Sequence, residues 1–164
     1  MKTFIFQNEI VNWQERDFVG RKYYSPNNCF YLLISNASEE KRFFLFERDD
    51  NIYSGEIKNS RRQAIANNGN FGILSIKLPD LKSSTVVFYE KTGKVIFRKM
   101  YKTILISIKI SEDGSMGLFS RSKKVGYGLT CVNLSNGSIL WEKVVYDGFH
   151  IDWDMPDINE EKTL

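Results

Sequence analysis

Ile104 to Lys143 reads ILISIKISEDGSMGLFSRSKKVGYGLTCVNLSNGSILWEK, four short apolar runs separated by three polar breaks. The breaks are Glu112-Asp113-Gly114, the cluster from Arg121 to Gly126, and Ser135-Asn136-Gly137. Asp-Gly and Asn-Gly between alternating apolar runs are strong hairpin signals, because both residues tolerate the positive φ that tight turns ask of the chain. The stretch predicts a four-stranded antiparallel meander. An earlier copy precedes it. Asn68-Gly69-Asn70-Phe71-Gly72-Ile73-Leu74 stands 45 residues before Asp113-Gly114-Ser115-Met116-Gly117-Leu118-Phe119, and Thr92-Gly93-Lys94-Val95-Ile96-Phe97 stands 44 residues before Asn136-Gly137-Ser138-Ile139-Leu140-Trp141.

Four strands repeated every 43–45 residues predict an all-β fold of propeller blades, either a partial propeller or a small ring of about four blades. Before the second copy, the first whole repeat runs through Asp17 to Tyr24, Phe30 to Ser35, Phe43 to Glu47 and Ile52 to Ile57. The N-terminus reads as the last two strands of a repeat, Lys2 to Phe6 and Ile10 to Trp13, with Trp13 falling on Trp141. After Lys143, Phe149-His150-Ile151-Asp152-Trp153 alternates apolar with polar and predicts one further strand. The resulting division is a single domain over residues 1–155. It comprises a half blade at 1–14, blades at 17–57, 58–99 and 104–146, and a closing strand at 148–154, and it is followed by an acidic tail at 156–164. Loops between the second and third strands vary from repeat to repeat, as binding-face loops do.

These repeats, with Asp-Gly after the first strand, Thr-Gly or Asn-Gly before the fourth and Trp141 near the end, resemble the blades of WD-repeat and quinoprotein-like propellers over residues 17–143. Within residues 17–143 the Trp-Asp dipeptide and the Gly-His pair of true WD repeats are missing. If the ring closes, Phe149 to Trp153 pairs with the N-terminal half blade; an open arc would leave strand edges that need a partner.

Composition sets the broad class. The 164 residues carry 42% hydrophobic and 26% charged residues, with 12 Phe, 8 Tyr and 3 Trp against 3 Pro, which favours strands over helices. No apolar run reaches the ~20 residues of a membrane helix, and MKTFIFQNEIVNW breaks at Gln7-Asn8-Glu9 before a signal-peptide core forms. Cys29 and Cys131 are too few for a disulfide framework, so a reducing, cytoplasmic location is expected. Within the net charge of +3, Tyr146 to Leu164 holds six acids and one base, which leaves +8 on the other 145 residues. A sign change at a terminus marks an interaction tail.

Catalytic and metal signals are weak. His150, Asp152 and Asp154 would share one face of a strand, but two Cys and one His do not make a zinc pattern. GxSxG, GxxxxGK[ST], GxGxxG and HExxH motifs are absent. The expectation is therefore no enzyme, no catalytic or metal residue and no cofactor. Basic residues at Lys41-Arg42, Lys58 with Arg61-Arg62, Lys91 to Lys99 and Arg121 to Lys124 are scattered over every repeat, which disfavours nucleic acid.

The segment chosen as partner-binding is Tyr146, Asp147, Phe149, His150, Asp152, Trp153, Asp154 and Asp157, aromatics set among acids as in an interface core with a charged rim. The expected partner is a protein, with a homodimer through open blade edges as a further option and no membrane. A small chain of this type resembles, as a type, the immunity proteins of competing bacteria. That resemblance implies occlusion of a basic cognate toxin, with a nuclease as the expected class. The alternative is a small propeller enzyme or ligand-binding protein with a site in the central channel.

Overall fold

A computed structural model of the chain describes residues 8–13, 16–35, 41–77, 83–123 and 126–145. Through them run β1 (Asn8–Trp13), β2 (Arg16–Tyr24), β3 (Phe30–Ser35), β4 (Arg42–Glu47), β5 (Asp50–Glu56), β6 (Ser60–Ile65), β7 (Phe71–Ile76), β8 (Ser84–Tyr89), β9 (Val95–Tyr101), β10 (Leu105–Ile110), β11 (Met116–Ser122), β12 (Tyr127–Asn133) and β13 (Ile139–Val145). They form three antiparallel meanders: sheet I from β1 to β5, sheet II from β6 to β9, and sheet III from β10 to β13. The fold is all-β, with the repeating meander that the glycine turns predict.

The middle strands explain why the sheets stack. β3, FYLLIS, is buried along its whole length, and β4, RFFLFE, is buried at its four central residues. Side chains alternate between the two faces of a strand, so such runs must be covered on both. Phe30, Leu32, Ile34, Phe43 and Leu45 turn to sheet II, where they meet Ile65, Phe71 and Ile73. The intervening Tyr31, Leu33, Phe44 and Phe46 gather with Phe18 in a separate cluster on the opposite face. Sheet II repeats the division: Leu74, Val86 and Phe88 turn the other way, to Leu105, Ile108, Phe119 and Val132 of sheet III. A fully buried Phe or Leu is worth roughly 1.5–3 kcal/mol, so these two interfaces carry much of the fold.

The turns carry the repeat. Gly114 N–H donates to the Ser111 carbonyl at 2.9 Å, and Ser111 N–H donates to the Met116 carbonyl at 2.9 Å, closing a four-residue loop. Ala66 to Asn70 and Glu90 to Lys94 make the same turn with three-residue loops. Only the glycine of each Asn-Gly, Asp-Gly or Thr-Gly pair takes positive φ (Gly69 83°, Gly93 85°, Gly114 71°, Gly137 74°), so the loops are turns ending on a left-handed glycine, not two-residue hairpins. Sheet I makes the equivalent turn with Asn28 at φ 58°.

The N-terminus departs from the sequence reading. Residues 1–14 were set apart there as a half blade, whereas Asn8–Trp13 pair antiparallel with β2, Ile10 opposite Val19 and Val11 opposite Phe18. Only Gln14 and Glu15 separate the two strands, and so short a connection forces a hairpin within one sheet. Lys2 to Phe6, the closing strand at 148–154 and the tail at 156–164 lie outside the described residues.

Gly137 and Gly114 separate two costs. A methyl on Gly137 meets the backbone carbonyl oxygen of Ile96 in the neighbouring sheet, which cannot swing aside, while one on Gly114 meets only the Asn68 side chain. Both also pay for an L side chain at positive φ. In denaturant unfolding we expect Gly137→Ala to cost about 2 kcal/mol or more and Gly114→Ala about 1 kcal/mol. Equal or negligible losses would contradict the turn assignment.

Candidate functional site

In a meander, successive turns lie at alternate ends of the sheet. The turns after the first and third strands of sheets II and III, and after β2 and β4 of sheet I, therefore share one end, while the other turns and the connections between sheets share the opposite end. The first end is laced together: Asn27 N–H donates to Asn67 Oδ1 at 2.8 Å, Asn67 N–H to the Glu112 carbonyl at 2.8 Å, and Asn70 Nδ2 to the Gly114 carbonyl at 3.2 Å. The opposite end holds the clefts.

Between sheets II and III the cleft is filled. Strand pairing sets Phe119 opposite Thr130, Arg121 opposite Gly128, and Thr130 opposite Glu142. The Arg121 guanidinium lies 5.1 Å from the centre of the Tyr101 ring, and its Nη2 is 3.5 Å from Glu142 Oε2. Thr130 Oγ1 donates to Glu142 Oε1 at 3.2 Å, and Lys99 Nζ lies 4.0 Å from the same oxygen. Gly128 makes the room, because a Cβ there would fall 2.7 Å from Arg121 Nε.

Between sheets I and II the same positions hold different residues. Ile73 pairs with Val87, Ser75 with Thr85, and Val87 with Arg98. By strand position Ser75 stands where sheet III has Arg121, Thr85 where it has Gly128, and Arg98 where it has Glu142. Ile57, buried directly after β5, the last strand of sheet I, takes the place of Tyr101. Short side chains at Ser75 and Thr85 leave a cavity of about 370 Å³, with Ile57, Ile73, Val87 and Tyr89 as its apolar lining and Glu56, Lys58 and Arg98 as its charged residues. Glu56 Oε1 is held 3.7 Å from Arg42 Nη2. Tyr89 stacks on Phe71, with ring centres 4.8 Å apart, and burial pushes its phenol above the usual 10.0, with Arg98 opposing and Tyr53 adding to the shift.

A second depression, about 230 Å³, shares Ile57 as a wall and is lined by Arg21, Lys41 and Arg61 with Ser35, Ser60 and Gln63. Lys41 is fixed twice here: its carbonyl accepts from Ile57 N–H at 2.9 Å, and its Nζ donates to Asn59 Oδ1 at 3.4 Å. Asn59 sits at φ 52°, in the left-handed region that asparagine tolerates better than most L residues.

The partner-binding residues chosen from sequence (Tyr146, Asp147, Phe149, His150, Asp152, Trp153, Asp154 and Asp157) lie outside the described residues. Basic residues that looked scattered converge instead: Lys41 and Arg61, some 20 positions apart, line one depression, and Lys58 and Arg98 line the cavity. The signal, an Arg–Glu pair in one copy and Ser–Arg in the other, is hidden by the 45-residue step, which sets Ser75 on Ser120; it emerges once the three-residue turn before β7 and the four-residue turn before β11 are allowed for. Among the described residues no three His, Cys, Asp or Glu gather as a metal-ligand set. Cys29, half-buried, and Cys131, buried, are free thiols.

With the geometry in hand, one likeness to a solved structure is informative. The chain is similar to the β-propeller domain of the Trilobed protease from Pyrococcus furiosus, described as having an open velcro topology, with a TM-score of 0.51 and 14% identity over 73% of this chain. The fold is that of propeller blades. At this identity the likeness concerns the fold alone, and the chain spans 40% of that neighbour's length. No family model matches the chain, and none of the curated proteins searched matches it. Among the described residues no helix is long and apolar enough to cross a membrane.

Tyr89 gives the cavity a pH signature. Its folded-state pKa is raised, so the unfolded chain loses the phenol proton first as pH rises, and stability falls above 10.0 until the folded phenol also ionises. Tyr89→Phe keeps the ring stack and removes the proton. The variant should lose less stability than the parent between pH 9 and 11 in chemical denaturation, and parallel pH curves would rule out a buried phenol.

Proposed function

We propose that this chain is a non-catalytic protein-binding module that presents the outer edge of its last blade to a partner. The observation that supports this most is β13, ILWEKVV, an outer strand with Ile139 40%, Leu140 49% and Val144 39% exposed. Trp141 beside them is half-buried, with Lys143 Nζ 5.4 Å from its ring centre. Among the described residues nothing pairs with the far side of β13. Exposed apolar groups on both faces of an edge strand are a liability in a lone protein and a binding surface when a partner strand adds to it.

The narrower reading takes the partner to be a cognate bacterial toxin, a nuclease by expectation, whose basic active site this chain occludes in a cytoplasmic setting. Charge is its support. The −5 segment that follows β13 would steer a basic protein toward the apolar edge, speeding encounter, while desolvated side chains would slow release. A second reading, a ligand-binding propeller, is favoured by the cavity between sheets I and II.

Surface-immobilised kinetics of the full chain against the product of the neighbouring gene test the proposal at two salt concentrations. Leu140→Lys with Val144→Lys, both exposed and so harmless to the fold, should raise the dissociation rate by a hot-spot amount, about 2 kcal/mol or more. Lys at Asp147, Asp152, Asp154 and Asp157 should slow association and flatten its salt dependence, since steering is screened over about 8 Å at physiological ionic strength. Unchanged kinetics in both folded variants would remove β13 and the acidic segment as the recognition surface. Sedimentation of the parent alone shows whether a second copy occupies the edge instead.

A further inference from the structure

The two clefts were built on one plan, and the charge at one position has been reversed. In the filled cleft a cation, Arg121, rises from the second strand and meets an anion, Glu142, on the fourth. In the open one the fourth strand offers a cation, Arg98, and the second strand offers only Ser75. The group missing from the open cleft is thus an anion of about side-chain size, set against apolar walls.

From this we infer that the cavity between sheets I and II binds a small organic carboxylate with an apolar body, in the place that Arg121 fills next door. Arg98 supplies the fork of N–H donors that matches a carboxylate in two-point geometry, and Lys58 adds a second positive charge. Glu56, the one acid among the described lining residues, is paired with Arg42, so among these residues Lys58 and Arg98 set the sign of the charge. Ile57, Ile73 and Val87 provide surface for an apolar body, and the Ser75 and Thr85 hydroxyls can serve the carboxylate as donors. A volume of about 370 Å³ lies at the small end of the ~300–1,000 Å³ seen for ligand sites, which suits a monocarboxylate of a few carbons or one ring. Tyr89, a neutral phenol at about pH 7, adds no negative charge to repel it.

The inference rests on the cavity and not on β13, so either can fail alone. The test is calorimetric titration of the full chain with hexanoate and with benzoate, against hexanamide and benzamide, which have the same bodies without the charge. We expect saturable binding of at least one carboxylate at one site, with its amide at least about tenfold weaker. Arg98→Gln should weaken the carboxylate at least about tenfold and leave the amide unchanged. Because Arg98 is exposed, the variant should melt as the parent does. The triple variant Ser75→Arg, Thr85→Gly, Arg98→Glu reproduces the Arg121, Gly128 and Glu142 positions of the filled cleft; it should fold and abolish binding. Three results would each overturn the inference: no saturable binding of either acid up to ~10 mM, equal binding of acid and amide, or full binding retained in a folded Ser75→Arg, Thr85→Gly, Arg98→Glu protein.

Discussion

A strand that is apolar on both faces cannot be satisfied by one neighbour, and the middle strands of these sheets are of that kind. Phe43 and Leu45 face one way from β4 while Phe44 and Phe46 face the other, all of them buried. Stacking sheet upon sheet is the response, and the repeat follows from it, because each added meander brings another face that must be covered. On sheet III the face turned away from sheet II carries buried Leu118 and Cys131, the latter paired with half-buried Trp141. Burial without a counter-charge also raises the Cys131 thiol above its usual 9.0, so it behaves as a small core residue and not as a nucleophile.

The two ends of the stack answer different demands. At the laced end, Asn and Asp side chains hold their own turns, while backbone and Asn side chains together reach the next: Asn27 Oδ1 accepts from Cys29 N–H, Asn68 Oδ1 from Asn70 N–H and Asp113 Oδ1 from Ser115 N–H. Such lacing fixes the angle between sheets. At the other end the angle is already set, and side chains there can differ without consequence for the fold. Between sheets I and II, Phe43 already meets Phe71 and Tyr89 of sheet II through tilted rings, so the contact does not depend on a long side chain at Ser75.

Architecture was legible in the sequence because it is written in local signals. Gly69, Gly93, Gly114 and Gly137 mark turns that recur at a fixed step, and alternation within each run marks the strands. The mode of turn was less legible: Asp113 and Asn136 were read as sharing the positive φ that only the following glycine adopts. The place of β1 was missed since its likeness to a fourth strand outweighed the two-residue link to β2. The cleft was invisible for a different reason. Its residues come from β5, β7, β8 and β9, and what distinguishes it is a difference between copies at Ser75 and Arg98, whereas repeat detection looks for sameness. The candidate site drawn from aromatic and acidic composition, Tyr146 to Asp157, lies outside the described residues.

The same turns set a chemical clock. An Asn-Gly pair ages when the glycine nitrogen attacks the asparagine carboxamide, a reaction that unhindered chains undergo readily. Here both partners are occupied: Gly69 N–H is given to the Ala66 carbonyl at 3.1 Å while Asn68 Oδ1 holds Asn70 N–H, and Gly137 N–H is given to the Asn133 carbonyl at 2.8 Å while Asn136 Oδ1 holds Ser138 N–H. Deamidation of this protein is therefore gated by the opening of its turns. Its working lifetime in storage depends on how often Asn68 and Asn136 let go.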